Sequence, residues 1–188
     1  MPSQFKRLAL TLASVLIIPS LATAGDNFSY DFYEAEVSST TEKGNSYTSV
    51  GASGSMEINN NHFLTAQVKT DIADDVAVNE VGLGIGAYKS SSESTDYYSR
   101  AGFTHGKTNC CGSAQTLSVG FGARHNLSDS IELAGGIDLL FSTAEEISGM
   151  NGNISALYNL TDTAQLGAGV ESDGDKTEAR LFARMKML

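Results

Sequence analysis

The chain has 188 residues, with 22 acidic and 12 basic side chains, 19 glycines, two prolines, two cysteines and no tryptophan, for a formal net charge of −10. That balance argues against nucleic acid and anionic lipid surfaces as partners, because their phosphates call for a surplus of Lys and Arg. Two adjacent cysteines, Cys110 and Cys111, cannot form a disulfide framework, so the fold must come from patterning.

Residues 1–24 read as a secretory signal peptide. Lys6 and Arg7 supply the positive start, residues 8–18 an apolar run, and Ala22-Thr23-Ala24 a small-residue cleavage site. The apolar run is too short to span a bilayer comfortably, and Pro19 interrupts its end. Residues 25–188 then form one domain, and losing Lys6 and Arg7 takes the formal charge from −10 to −12. No later segment is apolar enough for a transmembrane helix.

From there on the chain alternates with a period of two. Ten segments show it, at 30–37, 47–58, 62–72, 80–88, 97–105, 116–127, 131–141, 152–160, 164–172 and 178–187. The first sets Tyr33, Ala35 and Val37 against Glu34 and Glu36. The second and third line up Val50, Ala52, Met56 and Ile58, then Leu64, Ala66, Val68 and Ile72. The fourth, Val81-Gly-Leu-Gly-Ile-Gly-Ala87, alternates apolar residues with glycine. The fifth offers Ala101 and Phe103, the sixth Leu117, Val119, Phe121 and Ala123, the seventh Ile131, Leu133, Ile137, Leu139 and Phe141. The last three give Ile154, Ala156 and Tyr158; Ala164, Leu166, Ala168 and Val170; and Ala179, Leu181, Ala183, Met185 and Met187.

No charge falls in these rows, and many positions are only Ala. Lipid tolerates such a face, whereas the core of a soluble sandwich needs larger side chains. The opposite rows carry Glu34, Glu36, Glu57, Glu80, Glu132, Asp138 and Glu171 with Lys69, Arg100, Arg124, Arg180, Arg184 and Lys186, seven acids against six bases. Near balance suits a narrow interior, where an unpaired charge is expensive, and leaves the negative surplus to the loops.

Turns after even segments include Asn59-Asn-Asn61, Asn126-Leu-Ser-Asp-Ser130 and Asn159-Leu-Thr-Asp-Thr163, whose Asn and Asp side chains cap tight turns. Connections after odd segments, at 38–46, 73–79, 106–115 and 143–150, are longer. The expected fold is therefore all-β: a closed, antiparallel, up-and-down transmembrane β-barrel of about ten strands. Segment 89–96 is long for a turn, so eight strands also fit. On this parity, an inward Gly120 should accept serine more cheaply than Leu139 or Ile85 accepts arginine.

With these strands, Tyr and Phe near strand ends and turns such as Asn126-Leu-Ser-Asp129, residues 25–188 resemble the small outer-membrane β-barrel proteins of Gram-negative bacteria, with an OmpA/OmpX-like architecture. Such proteins usually end in an aromatic residue, where this chain ends in Leu188. The resemblance implies the cell outer membrane as location after export. It also implies outer-membrane lipids and lipopolysaccharide as surroundings and the barrel-insertion machinery as a partner. The role implied is non-enzymatic, in envelope integrity or in surface interaction or adhesion through extracellular loops, with no ligand specified. A narrow pore for ions or small solutes and a secreted soluble β-protein are the alternatives.

Closing the barrel makes the first and last strands neighbours, so Glu34, Glu36, Arg180 and Arg184 are expected to form a lumenal ion network. Cys110 and Cys111 are expected to be a thiol pair or a loop disulfide. With His105 they offer only three ligands, two of them adjacent, short of a usual metal site. Gly82, Gly84 and Gly86 precede no helix and so make no phosphate cradle. His125, Ser128 and Asp129 do not promise the convergence that a nucleophile, base and orienting acid require. Asp173 and Asp175 lack the spaced ligands of a calcium loop. No catalytic residue, metal site or cofactor is expected.

Overall fold

A computed structural model describes residues 28–59, 61–72, 78–108, 112–143 and 148–187. Ten strands run in chain order: β1 Phe32–Glu42, β2 Asn45–Asn59, β3 His62–Asp71, β4 Val78–Ser92, β5 Thr95–Thr108, β6 Gly112–Ser128, β7 Ile131–Ser142, β8 Ser148–Asn159, β9 Ala164–Ser172 and β10 Lys176–Lys186. Each pairs antiparallel with its chain neighbours, and β1 pairs with β10 to close the barrel. The first and last strands meet over the whole of β1, from Phe32 opposite Lys186 to Glu42 opposite Lys176.

The alternation becomes an inside-out molecule. Leu83 and Leu181 are 67% and 62% exposed, while the largest fully buried side chains include Gln165, Thr40 and Asp96 as well as Leu157. A soluble protein would reverse those two sets, because burying apolar surface is its main driving force. The outward apolar face is what a lipid environment stabilises, and closure leaves no strand edge to be satisfied there. Tyr33, Tyr97 and Tyr158 stand on this face toward the end with the short turns, the position of an aromatic girdle.

Segment 89–96 turns out to be a hairpin. β4 continues to Ser92 and β5 begins at Thr95, with a register shift between Ser90 and Ser92, so the count is ten and not eight. Two connections expected to be long loops are also mostly strand. β1 and β2 are joined by Lys43-Gly44 alone, and β5 and β6 extend to Thr108 and from Gly112. Both Lys43 and Gly44 have positive φ, 48° and 85°, as a two-residue hairpin of matching twist requires. These strand ends carry Ser and Thr on both faces, so no hydrophobic period marks them, although β-branched Thr suits a strand. The Asp173 carboxylate accepts from the backbone N–H of Asp175 and Lys176 at 3.1 and 2.8 Å, which closes the turn between β9 and β10. The two similar turns after β6 and β8 are tied together, since Asn159 Nδ2 donates to the Asp129 carbonyl at 2.7 Å.

Two inward glycines let aromatic rings lie flat on the wall. A Cβ at Gly86 would overlap the Phe63 ring, and one at Gly167 the Phe182 ring. Gly120 faces inward as expected, and the space beside it is tight. A Cβ there would run into the Asp138 carboxylate and crowd Arg100 Nε. Inward Gly149, opposite Leu140, has nothing within 4 Å and is the permissive position. Residues 1–24, and with them the expected leader, lie outside the described residues, as do Cys110 and Cys111.

Candidate functional site in the barrel lumen

The wall projects its polar rows into a cavity of about 510 Å³. It reaches from Tyr30 and Arg124, at the end with the short turns, to Glu80 and Lys176 near the hairpin tips. Between them lie Gln67, Thr104, Ser118, Asn153, Arg100 and Arg180.

At the short-turn end a chain of alternating charges runs around the interior. Arg184 Nε donates to Glu34 Oε2 at 3.0 Å, and Arg180 Nη1 donates to Glu36 Oε2 at 3.3 Å and lies 3.7 Å from Glu34. Arg184 also sits 3.8 Å from Glu132, which takes a two-pronged contact from Arg124 at 2.7 and 3.1 Å. Gln165 Nε2 donates to Glu132 at 3.4 Å and to Asn159 at 2.7 Å. The first four residues were grouped from sequence because they occupy the two closing strands. Arg124 and Glu132 join them through strand register, which the sequence pattern does not reveal.

Higher in the lumen Arg100 grips Asp138 with two donors, at 2.9 and 2.6 Å, and Asn153 adds a third at 3.2 Å. Nearer the tips Lys69 Nζ is 2.6 Å from both Glu178 oxygens, Thr40 donates to Glu178 at 3.1 Å, and Ser49 donates to Asp71 at 2.5 Å. Asn151 donates to Glu171. Charges cost least in a low-dielectric enclosure when paired and hydrogen-bonded, and these pairs meet that condition.

The interior is more acidic than the sequence rows implied. Glu42, Asp71, Asp96 and Glu178 also lie on the inward side of their strands, against one further base, Lys176. Glu42 and Asp96 lie beyond the ends of the apolar rows, whereas Asp71 and Glu178 stand beside Ile72 and Ala179 and share the parity of the polar rows. Near balance therefore gives way to an acid surplus.

At the short-turn end residues 28–31 turn inward before β1 and occupy part of the lumen. Phe28 and Tyr30 are 6% and 3% exposed. The Tyr30 ring stacks on Tyr88 at 4.0 Å between centroids and on Phe63 at 4.8 Å. The Arg124 guanidinium lies 4.8 Å from the centre of Phe28 and 5.0 Å from that of Tyr30, and Nη1 donates to the Ser29 carbonyl at 3.0 Å. Asp31 fastens the segment to the wall, accepting from Glu57 N at 2.6 Å and from Met187 N at 2.9 Å. Tyr88 in turn donates to Glu57 at 2.7 Å. Burial pushes the Tyr30 phenol well above its ordinary range, so the ring enters as a neutral group.

The remaining candidates are not brought together. His125 points outward and shares a hydrogen bond with Thr95 Oγ1 at 2.9 Å, while Ser128 and Asp129 belong to the turn after β6. Among the described residues no three His, Cys, Asp or Glu side chains are placed to hold a metal ion. Gly82, Gly84 and Gly86 face the lumen on β4, packed against Gln67, Thr65 and Phe63 of β3.

No protein-family model matches the chain, and no curated protein is similar to it in sequence. Solved structures are similar in shape. The NanC porin superposes with a TM-score of 0.57 at 8% identity, over 81% of this chain and 100% of that one. An outer membrane channel from Pseudomonas putida F1 gives 0.52 at 9%, over 88% and 100%, and the KdgM porin 0.51 at 8%, over 82% and 99%. At such identities the likeness is one of fold. That fold is the outer-membrane β-barrel in general, and it does not single out the OmpA/OmpX-like architecture.

Proposed function

We propose that this chain is a non-enzymatic outer-membrane β-barrel, closed to solutes at rest, that serves the cell envelope through its wall and its outward hairpins. The observation that carries the reading is the plugged lumen: residues 28–31, with Phe63, Tyr88 and Arg124, fill the barrel at one end. The outward rows of exposed apolar side chains and the fold likeness to porins and an outer membrane channel support the location. On this reading the expected leader directs export, the insertion machinery places the barrel, and outer-membrane lipids and lipopolysaccharide surround it. The Ser- and Thr-rich strand ends are then the surface open to adhesion or other contacts.

Protein extracted from membranes and reconstituted in planar bilayers should show no persistent current, and a steady, reproducible pore would overturn the closed state. Fractionation tests the location: recovery from the soluble periplasm without detergent would refute it.

The second reading, a narrow pore for ions or small solutes, is favoured by one observation. Above the plug the lumen is a polar cavity of about 510 Å³, not a packed core. Interiors of so few strands can be filled by side chains, whereas here the described residues leave that cavity between them.

A further inference from the structure

We propose that residues 28–31 are a removable stopper, and that displacing them turns the lumen into a pore for small cations. The inference rests on the closed-at-rest reading above and assigns the barrel a gated activity.

The stopper is separable from the wall. All ten strands pair in a closed ring, and residues 28–31 contribute no strand to it. They are held by ring stacking, by one guanidinium donating to the Ser29 carbonyl, and by the Asp31 contacts at the foot of β1. Phe28 and Tyr30 can leave the lumen with Asp31 as the hinge and no ladder hydrogen bond broken. These are side-chain and hinge contacts and not ladder bonds, so the segment can open locally while the ten-strand ring stays intact.

The rings left behind belong to the wall. Phe63 lies flat over Gly86, where a Cβ would overlap it, and Phe182 lies flat over Gly167 in the same way. Tyr88 is tethered to Glu57. Tyr30 is the ring that joins Phe63 to Tyr88, whose own centroids are 6.5 Å apart. On this proposal, withdrawing Phe28 and Tyr30, two of the three buried rings clustered at that end, joins the cavity above to the short-turn end.

Charge selects the solute. Five bases are matched by acids: Lys69 by Glu178, Arg100 by Asp138, Arg124 by Glu132, Arg180 by Glu36 and Arg184 by Glu34. The other inward charges are Glu42, Glu57, Asp71, Glu80, Asp96 and Glu171 against Lys176 and Lys186. A narrow lumen with an acid surplus concentrates cations and repels anions.

The test is single-channel recording of the full chain, purified from membranes, under a gradient of potassium chloride. Phe28→Ala/Tyr30→Ala should raise the time spent conducting at least ten-fold over wild type, with a reversal potential favouring potassium. A double variant that keeps the heat-sensitive gel mobility of an intact barrel yet stays silent overturns the stopper. A conducting variant that prefers chloride overturns the assignment to cations. Where the double variant does not fold, Tyr30→Ala alone gives the same readout with Phe28 and Asp31 in place, and silence of that folded variant counts equally against the proposal. A wild type that already conducts steadily contradicts the closed-at-rest reading itself, whereas a silent wild type with a silent folded variant contradicts only the stopper.

Discussion

The two ends of this barrel are built from the same ten strands and filled in opposite ways. The short-turn end is packed: Phe28, Tyr30, Phe63 and Phe182 are buried there, and the charges form one connected chain from Arg124 to Glu36. Toward the hairpin tips the described residues leave a cavity and hold separate pairs such as Lys69–Glu178. A closed sheet therefore fixes the wall without fixing what the wall contains. Occlusion here comes from a few residues at one level, and the rest of the lumen keeps its space.

The sharpest way to break this contrast is to remove one member of the packed charge chain. Glu132→Ala strands Arg124, whose side chain is 6% exposed, and should cost about 3–5 kcal/mol, read as a lower unfolding midpoint in urea from lipid vesicles. A smaller loss of about 1–3 kcal/mol is expected for Lys69→Ala toward the hairpin tips, where the lysine is 20% exposed and Glu178 keeps Thr40 as a donor. Equal losses at the two ends would remove the distinction.

On the lipid face, Ile85→Arg should cost about 2–4 kcal/mol near the midplane whichever end is considered. Inside, Gly86→Ala forces Phe63 off the wall and should cost roughly 1–3 kcal/mol, while Gly149→Ala, with open space around it, should stay within about 0.5 kcal/mol. Thermal unfolding in detergent ranks this pair, and a tolerated alanine at Gly86 would mean that the Phe63 ring is not seated there.

The wall was legible in the sequence because a period of two, kept through ten segments with no charge on one side, has few structural solutions. Glu34, Glu36, Arg180 and Arg184 could be grouped because closure forces the first and last strands together. Arg124 and Glu132 could not be joined to them. Both are visibly inward, but their level depends on register, and register is set by turns such as the one with the shift between Asn126 and Ser128. Glu42 and Asp96 escaped because parity cannot be read where the apolar row stops. Residues 28–31 are too few to show any period, and their inward turn depends on rings from β3 and β4, more than thirty residues away. The strand ends beyond Val37 looked like loop because Ser and Thr fill both of their faces.

The most direct measurement is the current through single wild-type barrels and through Phe28→Ala/Tyr30→Ala barrels in the same planar bilayer. A silent wild type beside a conducting, potassium-preferring variant is the expected result. Steady current from the wild type, unchanged by the substitutions, would contradict a lumen closed by residues 28–31.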